Sequence, residues 1–103
     1  MEDTVDALLM VAKSGEADGQ VFNLGGDSVI SLKELADLLI EVNGGGRRFI
    51  RSFPAHRKRI DIGDYYADFS RIRSLLGWEP KVPLREGLLK TLTFYRKNIE
   101  HYR

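Results

Sequence analysis

The chain has 103 residues, 43% of them hydrophobic and 30% charged, the balance of a folded globular chain rather than a disordered one, and its length suits one domain over residues 1–103. It holds no cysteine, which excludes disulfides, thiolate catalysis and cysteine-bound zinc, and its longest apolar run, Ala7–Ala12, falls far short of the ~20 residues a membrane helix needs. The net charge is +1, and the acidic start Met1-Glu2-Asp3 lacks the basic region of a secretory leader, so the expected compartment is the cytoplasm.

The first predicted element is a helix from Thr4 to about Lys13. Val5, Leu8, Leu9 and Ala12 recur at i, i+3, i+4, i+7 and so define its expected buried face. Asp3 is placed to accept from the first free amides, and Ser14-Gly15 supplies the stop. Gln20–Leu24 reads as a short strand that ends at Gly25-Gly26. Ser31-Leu32-Lys33-Glu34 is a capping box, in which the serine hydroxyl and the glutamate satisfy each other's orphan amides. The helix that follows carries Leu32, Leu35, Ala36, Leu39 and Val42 on one side and stops at Asn43-Gly44-Gly45-Gly46.

Arg47–Phe53 is a second expected strand, closed by Pro54, and Ile62–Ala67 a third extended stretch. Tyr65 and Tyr66 would face opposite sides of it. Asp68 caps a short helix with Ile72, Leu75 and Leu76 turned inward, and Gly77 ends it. Trp78–Pro83 is an extended connector in which Trp78 is expected to anchor against the last helix. That helix opens at Pro83 or Leu84, buries Leu84, Leu88, Leu92 and Tyr95, and frays from Lys97 to Arg103. The expected fold class is therefore α+β, with about four helices and a small two- to three-stranded sheet.

Charge is strongly segregated. Residues 1–46 carry a net −7, whereas Arg47, Arg48, Arg51, Arg57, Lys58 and Arg59 form a block of six cations with no acid between them. Such a block is a candidate anion site, for phosphate or nucleic acid, or else a solvated stretch that discourages edge pairing. Familiar catalytic patterns are missing. There is no G-x-G-x-x-G between a strand and a helix, no P-loop, no G-x-S-x-G, no H-E-x-x-H and no Tyr-x-x-x-Lys pair. His56 and His101 have no acid cluster to complete a metal site. By its own residues the chain looks unable to do chemistry.

Several stretches, taken in order, resemble one family. Met1–Leu8 resembles a V-x-D-x-[VA]-x-A segment, and Val21-Phe22-Asn23-Leu24-Gly25 a [VY]-[FY]-N-[LIV]-G strand. The run from Arg57 to Arg71, followed by Leu76-Gly77-Trp78-Glu79-Pro80 and Leu84-Arg85-Glu86-Gly87-Leu88, is similar to R-x-x-D-[IV]-x-x-x-x-A-D-x-S-[KR]…L-G-W-x-P…L-x-x-G-L. These belong to the NAD-dependent nucleotide-sugar epimerases and dehydratases, the extended short-chain dehydrogenase/reductase family. The likeness covers essentially the whole chain, but only the C-terminal third of such an enzyme. The family's glycine-rich NAD loop and Tyr-x-x-x-Lys pair lie upstream of the matching part.

The resemblance implies a substrate-binding segment that holds the diphosphate of a nucleotide-sugar and is not catalytic alone. No cofactor is expected in this chain, and NAD is expected in the complete enzyme. Arg57 or Lys58 stands where the family places its diphosphate-binding arginine. Lys58 has the usual spacing of three residues before the acid, and Arg57 lies one residue earlier. Asp61 stands where the family has an acid able to accept a ribose hydroxyl. Implied partners are the nucleotide-sugar and an upstream Rossmann half or a second copy, with no membrane and with nucleic acid the less favoured ligand. Two alternatives come from other classes. One is a small nucleic-acid- or nucleotide-binding module that uses the 47–59 block with Phe49, Phe53 and Tyr65. The other is a stand-alone remnant that serves as an interaction or assembly unit.

Overall fold

A computed structural model describes residues 1–102. It contains five α-helices: α1 (Glu2–Lys13), α2 (Leu32–Asn43), α3 (Ala55–Lys58), α4 (Ser70–Leu76) and α5 (Leu84–Asn98). Short 3₁₀ turns follow α1 at Gly15–Ala17 and α5 at Ile99–Tyr102. The end of the chain is thus helical as far as Tyr102, and Arg103 lies outside the described residues. No described helix is long and apolar enough to cross a membrane.

No strand occurs among the described residues, so the fold is all-α and the expected α+β class with a small sheet is corrected. The reason lies in what makes a strand. Alternation is a local property, but a strand exists only when a neighbour accepts and donates along its edge. In Gln20–Leu24 the alternation is present: Phe22 and Leu24 pack on the core while Val21 is 75% exposed. The ladder is missing. Arg71 takes its place on one side, donating to the Val21 carbonyl (3.3 Å) and the Gln20 side chain (2.6 Å). Arg47–Phe53 and Ile62–Ala67 likewise have no ladder partner.

The chain divides into two compact units. The first comprises Met1–Val29 and Tyr66–Gly87. Its core is Ala7, Ile72 and Trp78, with Met10, Val11, Phe22, Leu24, Phe69 and Leu76 packed around them. Ile72 is fully buried, which stabilises the unit by about 1.5–3 kcal/mol. Trp78 meets Phe69 edge to face at 5.9 Å, and its indole N–H donates to the Asp3 carbonyl at 3.0 Å. Its anchor is therefore α1 and the approach to α4, not the last helix.

α1 also turns a different side inward than its spacing predicts. Ala7, Met10 and Val11 face the core, whereas Val5, Leu8, Leu9 and Ala12 are exposed. Between Val5 and Ala12 only Asp6 is polar, so the periodicity is satisfied by more than one face and packing decides between them. The helix begins at Glu2 with Met1 as its cap. Asp3 does not close the first turn. Its two carboxylate oxygens instead accept from the backbone amides of Lys81 and Val82, each at 3.1 Å. Those amides, the first of them most strongly, hold the Asp3 carboxyl below its ordinary range.

Gly25 is required for space rather than for a left-handed φ. A Cβ there would lie 2.8 Å from the Ala67 Cβ and 2.9 Å from the Ala67 carbonyl oxygen. At the C-terminus of α4, Gly77 adopts φ 71° as its residue type predicts. Asp68 accepts from the Ser70 amide at 2.8 Å, which lowers its pKa and steers the chain into α4. Leu75 stays 40% exposed.

The second unit comprises Ile30–Tyr65 and the chain from Leu88 onward. None of its described residues is buried, so polar ties matter more here. The predicted capping box is present, with the Ser31 hydroxyl accepting from the Glu34 amide at 3.2 Å and the Ser31 amide donating to Glu34 at 2.8 Å. α2 ends at Gly44, φ 76°. Arg96 of α5 caps that end, donating to the Asn43 carbonyl (3.1 Å) and the Asn43 side chain (2.7 Å). Cations suit a helix C-terminus because they meet its exposed carbonyls.

Candidate functional site

The candidate residues Arg57, Lys58 and Asp61 sit in one turn of the second unit. Pro54 caps α3, and its carbonyl accepts from the Arg57 amide (3.0 Å) and the Lys58 amide (3.1 Å). Proline suits this place because its fixed φ sets up the turn and its missing N–H is not needed there. The Arg57 carbonyl then accepts from Ile60 at 3.1 Å, which carries the chain round to Asp61. There the Asp61 carboxylate accepts from the Gly63 amide at 2.8 Å. Gly63 has φ 75°, and the aspartate closes a local turn of the kind its short side chain favours.

All three side chains are exposed. Arg57 and Lys58 form no ion pair or hydrogen bond with another described side chain. Asp61 is tied to Gly63 and not to either cation, so the turn gathers two cations and one acid without pairing them. Chemically, such a turn can meet an anion through its guanidinium and ammonium groups while a carboxylate oxygen accepts a hydroxyl.

The basic block is not uniform. Arg48 pairs with Asp37 of α2, with its Nη2 3.0 Å from Asp37 Oδ2. The guanidinium holds the Asp37 carboxyl below its ordinary range, and the carboxylate raises Arg48 in turn. Sequence reading missed this pair. The two residues are eleven apart, and the glycine run between them hides which direction the chain takes. On either side of the turn in sequence, within the same unit, Phe49, Ile50, Phe53, Ile60, Ile62 and Tyr65 are each more than half exposed. Two hollows of about 310 and 280 Å³ occur elsewhere, in the first unit, the former beside Arg71 and the latter beside Gly25, Gly26 and Trp78. Neither is lined by a residue of the basic block.

The glycine run at 44–46 does not fit a dinucleotide's pyrophosphate. Gly44-Gly45-Gly46 follows the C-terminus of α2 rather than leading from a strand into a helix, so no helix N-terminus stands behind it to meet a pyrophosphate.

Similar proteins were found along nearly the whole chain. dTDP-glucose 4,6-dehydratase of Streptomyces griseus is 35% identical over 101 residues, covering 95% of this chain and 29% of the relative. dTDP-D-glucose 4,6-dehydratase of Mus musculus is 37% identical over 106 residues, covering 98% and 29%. UDP-glucuronic acid decarboxylase 1 of Xenopus tropicalis is 32% identical over 106 residues, covering 98% and 23%. No family model matches the chain, and no solved structure matches it. The chain spans less than a third of the length of these curated relatives.

Proposed function

Because the chain is homologous to the C-terminal part of the nucleotide-sugar dehydratases of the extended short-chain dehydrogenase/reductase family, we propose that it is the substrate-binding segment of such an enzyme and holds the diphosphate of a nucleotide-sugar. The observation that carries the reading is the joint one of whole-chain similarity and the unpaired Arg57 and Lys58 beside Asp61. A diphosphate brings about two negative charges, and a guanidinium fork meets its oxygens bidentately where an ammonium meets them as a point charge. Arg57 supplies the fork, Lys58 a second cation, and Asp61 an acceptor for a ribose hydroxyl. dTDP-linked glucose is the first ligand to try, since two of the relatives are dehydratases of that compound by name.

Oxidation and proton transfer lie outside this segment. They would require an upstream dinucleotide-binding half with its bound NAD, in the same polypeptide or on another, and this chain alone should show no oxidoreductase activity. Calorimetric titration with dTDP-glucose, a UDP-sugar and a GDP-sugar tests the reading. The expected result is binding of at least one, weakened by Arg57→Ala or Lys58→Ala. The reading is overturned if no sugar nucleotide binds, or if binding is indifferent to both substitutions.

A further inference from the structure

Asn43 is the last residue of α2, and Gly44 follows it at φ 76°. Asparagine is a labile residue, and most so before glycine, where no side chain shields the next backbone nitrogen from the asparagine Cγ. The chain's other asparagines, Asn23 and Asn98, precede Leu24 and Ile99, whose bulk obstructs the same approach. Asn43 and Gly44 are both exposed to water.

In the fold, the groups that such a reaction would use are already engaged. The Gly44 amide donates to the Glu41 carbonyl at 3.0 Å. The Asn43 Nδ2 donates to the Gly45 carbonyl at 2.8 Å. Arg96 Nη2 donates both to Asn43 Oδ1 (2.7 Å) and to the Asn43 carbonyl (3.1 Å). A guanidinium on Oδ1 alone would polarise the amide towards attack. Here it also holds the main-chain carbonyl, and with it the helical backbone that turns the Gly44 nitrogen toward Glu41 and away from Cγ.

We propose that Asn43-Gly44 is a latent deamidation site and that Arg96 is its guard, the reaction proceeding only when the guanidinium lets the end of α2 open. The co-reactants are water and hydroxide. The Gly44 nitrogen gives its proton to hydroxide and attacks Asn43 Cγ, forming the C–N bond of a five-membered succinimide. The Cγ–Nδ2 bond breaks, and Nδ2 leaves as ammonia with a proton taken from water, which restores the hydroxide. Water then adds to one ring carbonyl and breaks its bond to the Gly44 nitrogen, leaving aspartate or isoaspartate according to the carbonyl attacked. Nothing is oxidised or reduced. The product lowers the net charge by one unit, faces Arg96 with a carboxylate and removes the donor to Gly45. None of this depends on the nucleotide-sugar reading.

The test holds the chain at about pH 8 and about 37 °C, folded and in urea, and follows the gain of about 1 Da per event by mass spectrometry with peptide mapping. Far-UV circular dichroism confirms that each variant keeps its helices. Reaction at Asn43 should be at least about tenfold slower in the folded wild type than in urea. Arg96→Ala should speed it at least about fivefold in the folded chain, since a charged hydrogen bond is lost. Arg96→Gln, which keeps much of the stem without the charge, should also speed it, and it decides the matter if the alanine variant loses its helices. Arg48→Ala breaks a different pair of the same unit and should leave the rate within about twofold. A folded wild type that reacts as fast as the chain in urea overturns the proposal. So do Arg96 variants that react no faster than wild type, and so does an equal acceleration by Arg48→Ala, since general loosening rather than Arg96 would then set the rate.

Discussion

The indole N–H of Trp78 donates to the carbonyl oxygen of Asp3 at 3.0 Å, and the same aspartate receives the amides of Lys81 and Val82 on its side chain. One residue in the first turn of the chain thereby fixes both a core aromatic and the connector that follows it. Trp78 is 4% exposed. Its replacement by alanine is expected to cost about 3–5 kcal/mol, a large part of the ~5–15 kcal/mol that holds a domain together. Urea denaturation followed by circular dichroism checks this, and an unchanged midpoint would remove Trp78 from the core.

Acid should loosen the fold in a defined window. Hydrogen bonds and the Arg48 charge depress the carboxyls of Asp3, Glu34, Asp37 and Asp68 below their ordinary values of 3.8 for aspartate and 4.5 for glutamate. A group with a folded-state pKa depressed in this way contributes its full stability above the unfolded value and loses it as pH falls through the folded one. Melting temperature should therefore hold steady down to about pH 5 and fall below it. Asp3→Asn should start lower and show a shallower acid limb. An acid limb as steep as the wild type's would mean that Asp3 is not held ionised by its contacts.

Gly25→Ala is expected to destabilise by about 1–3 kcal/mol, because the new methyl must displace Ala67 backbone as well as its side chain. Gly26→Ala is the matched control, since nothing lies within 4 Å of a Cβ there. Equal melting temperatures for the two variants would contradict the close approach.

Ser31→Ala removes the hydroxyl that accepts from the Glu34 amide and should cost about 1 kcal/mol. Helix content and stability should fall together, and hydrogen exchange should rise first at the amides of residues 32–35. An exchange pattern unchanged there would count against the box as the start of α2.

Arg48 and Arg57 should separate stability from binding. Arg48 is occupied by Asp37, so Arg48→Ala should lower the melting temperature and leave sugar-nucleotide affinity within about twofold. Arg57→Ala should do the reverse and lower affinity about tenfold, the usual loss when one charged hydrogen bond is removed. Parallel melts and titrations of the two variants decide the matter, and identical effects would mean the block acts only as diffuse charge.

What could be read from the residues and what could not divide along physical lines. The capping box at Ser31, the stop at Gly77, the extent of α2 and the start of α5 are local signals, set by neighbours within four residues, and they appear in the structure. The side chains of Arg57, Lys58 and Asp61 fall in one turn because they are close in sequence, so their proximity was legible too. Pairing was not. Phe22 and Leu24 alternate as a strand does, yet no local feature says whether a second strand is present to bond to them. The inward side of α1 was hidden because apolar residues surround nearly the whole helix. The contacts of Asp3 with residues 78–82, and of Arg96 with Asn43, span 53 to 79 positions, beyond the reach of any periodicity.

The first unit is assembled from two separate stretches of chain, with Ile30–Tyr65 strung between them. Among the described residues all the buried side chains, Ala7, Ala17, Ile72 and Trp78, belong to the flanking stretches and none to the intervening one. Mutational drift in the excursion, including its cationic turn, can therefore proceed without re-solving the jigsaw of the interior. A lineage could vary the charge of that turn while inheriting its hydrophobic scaffold untouched.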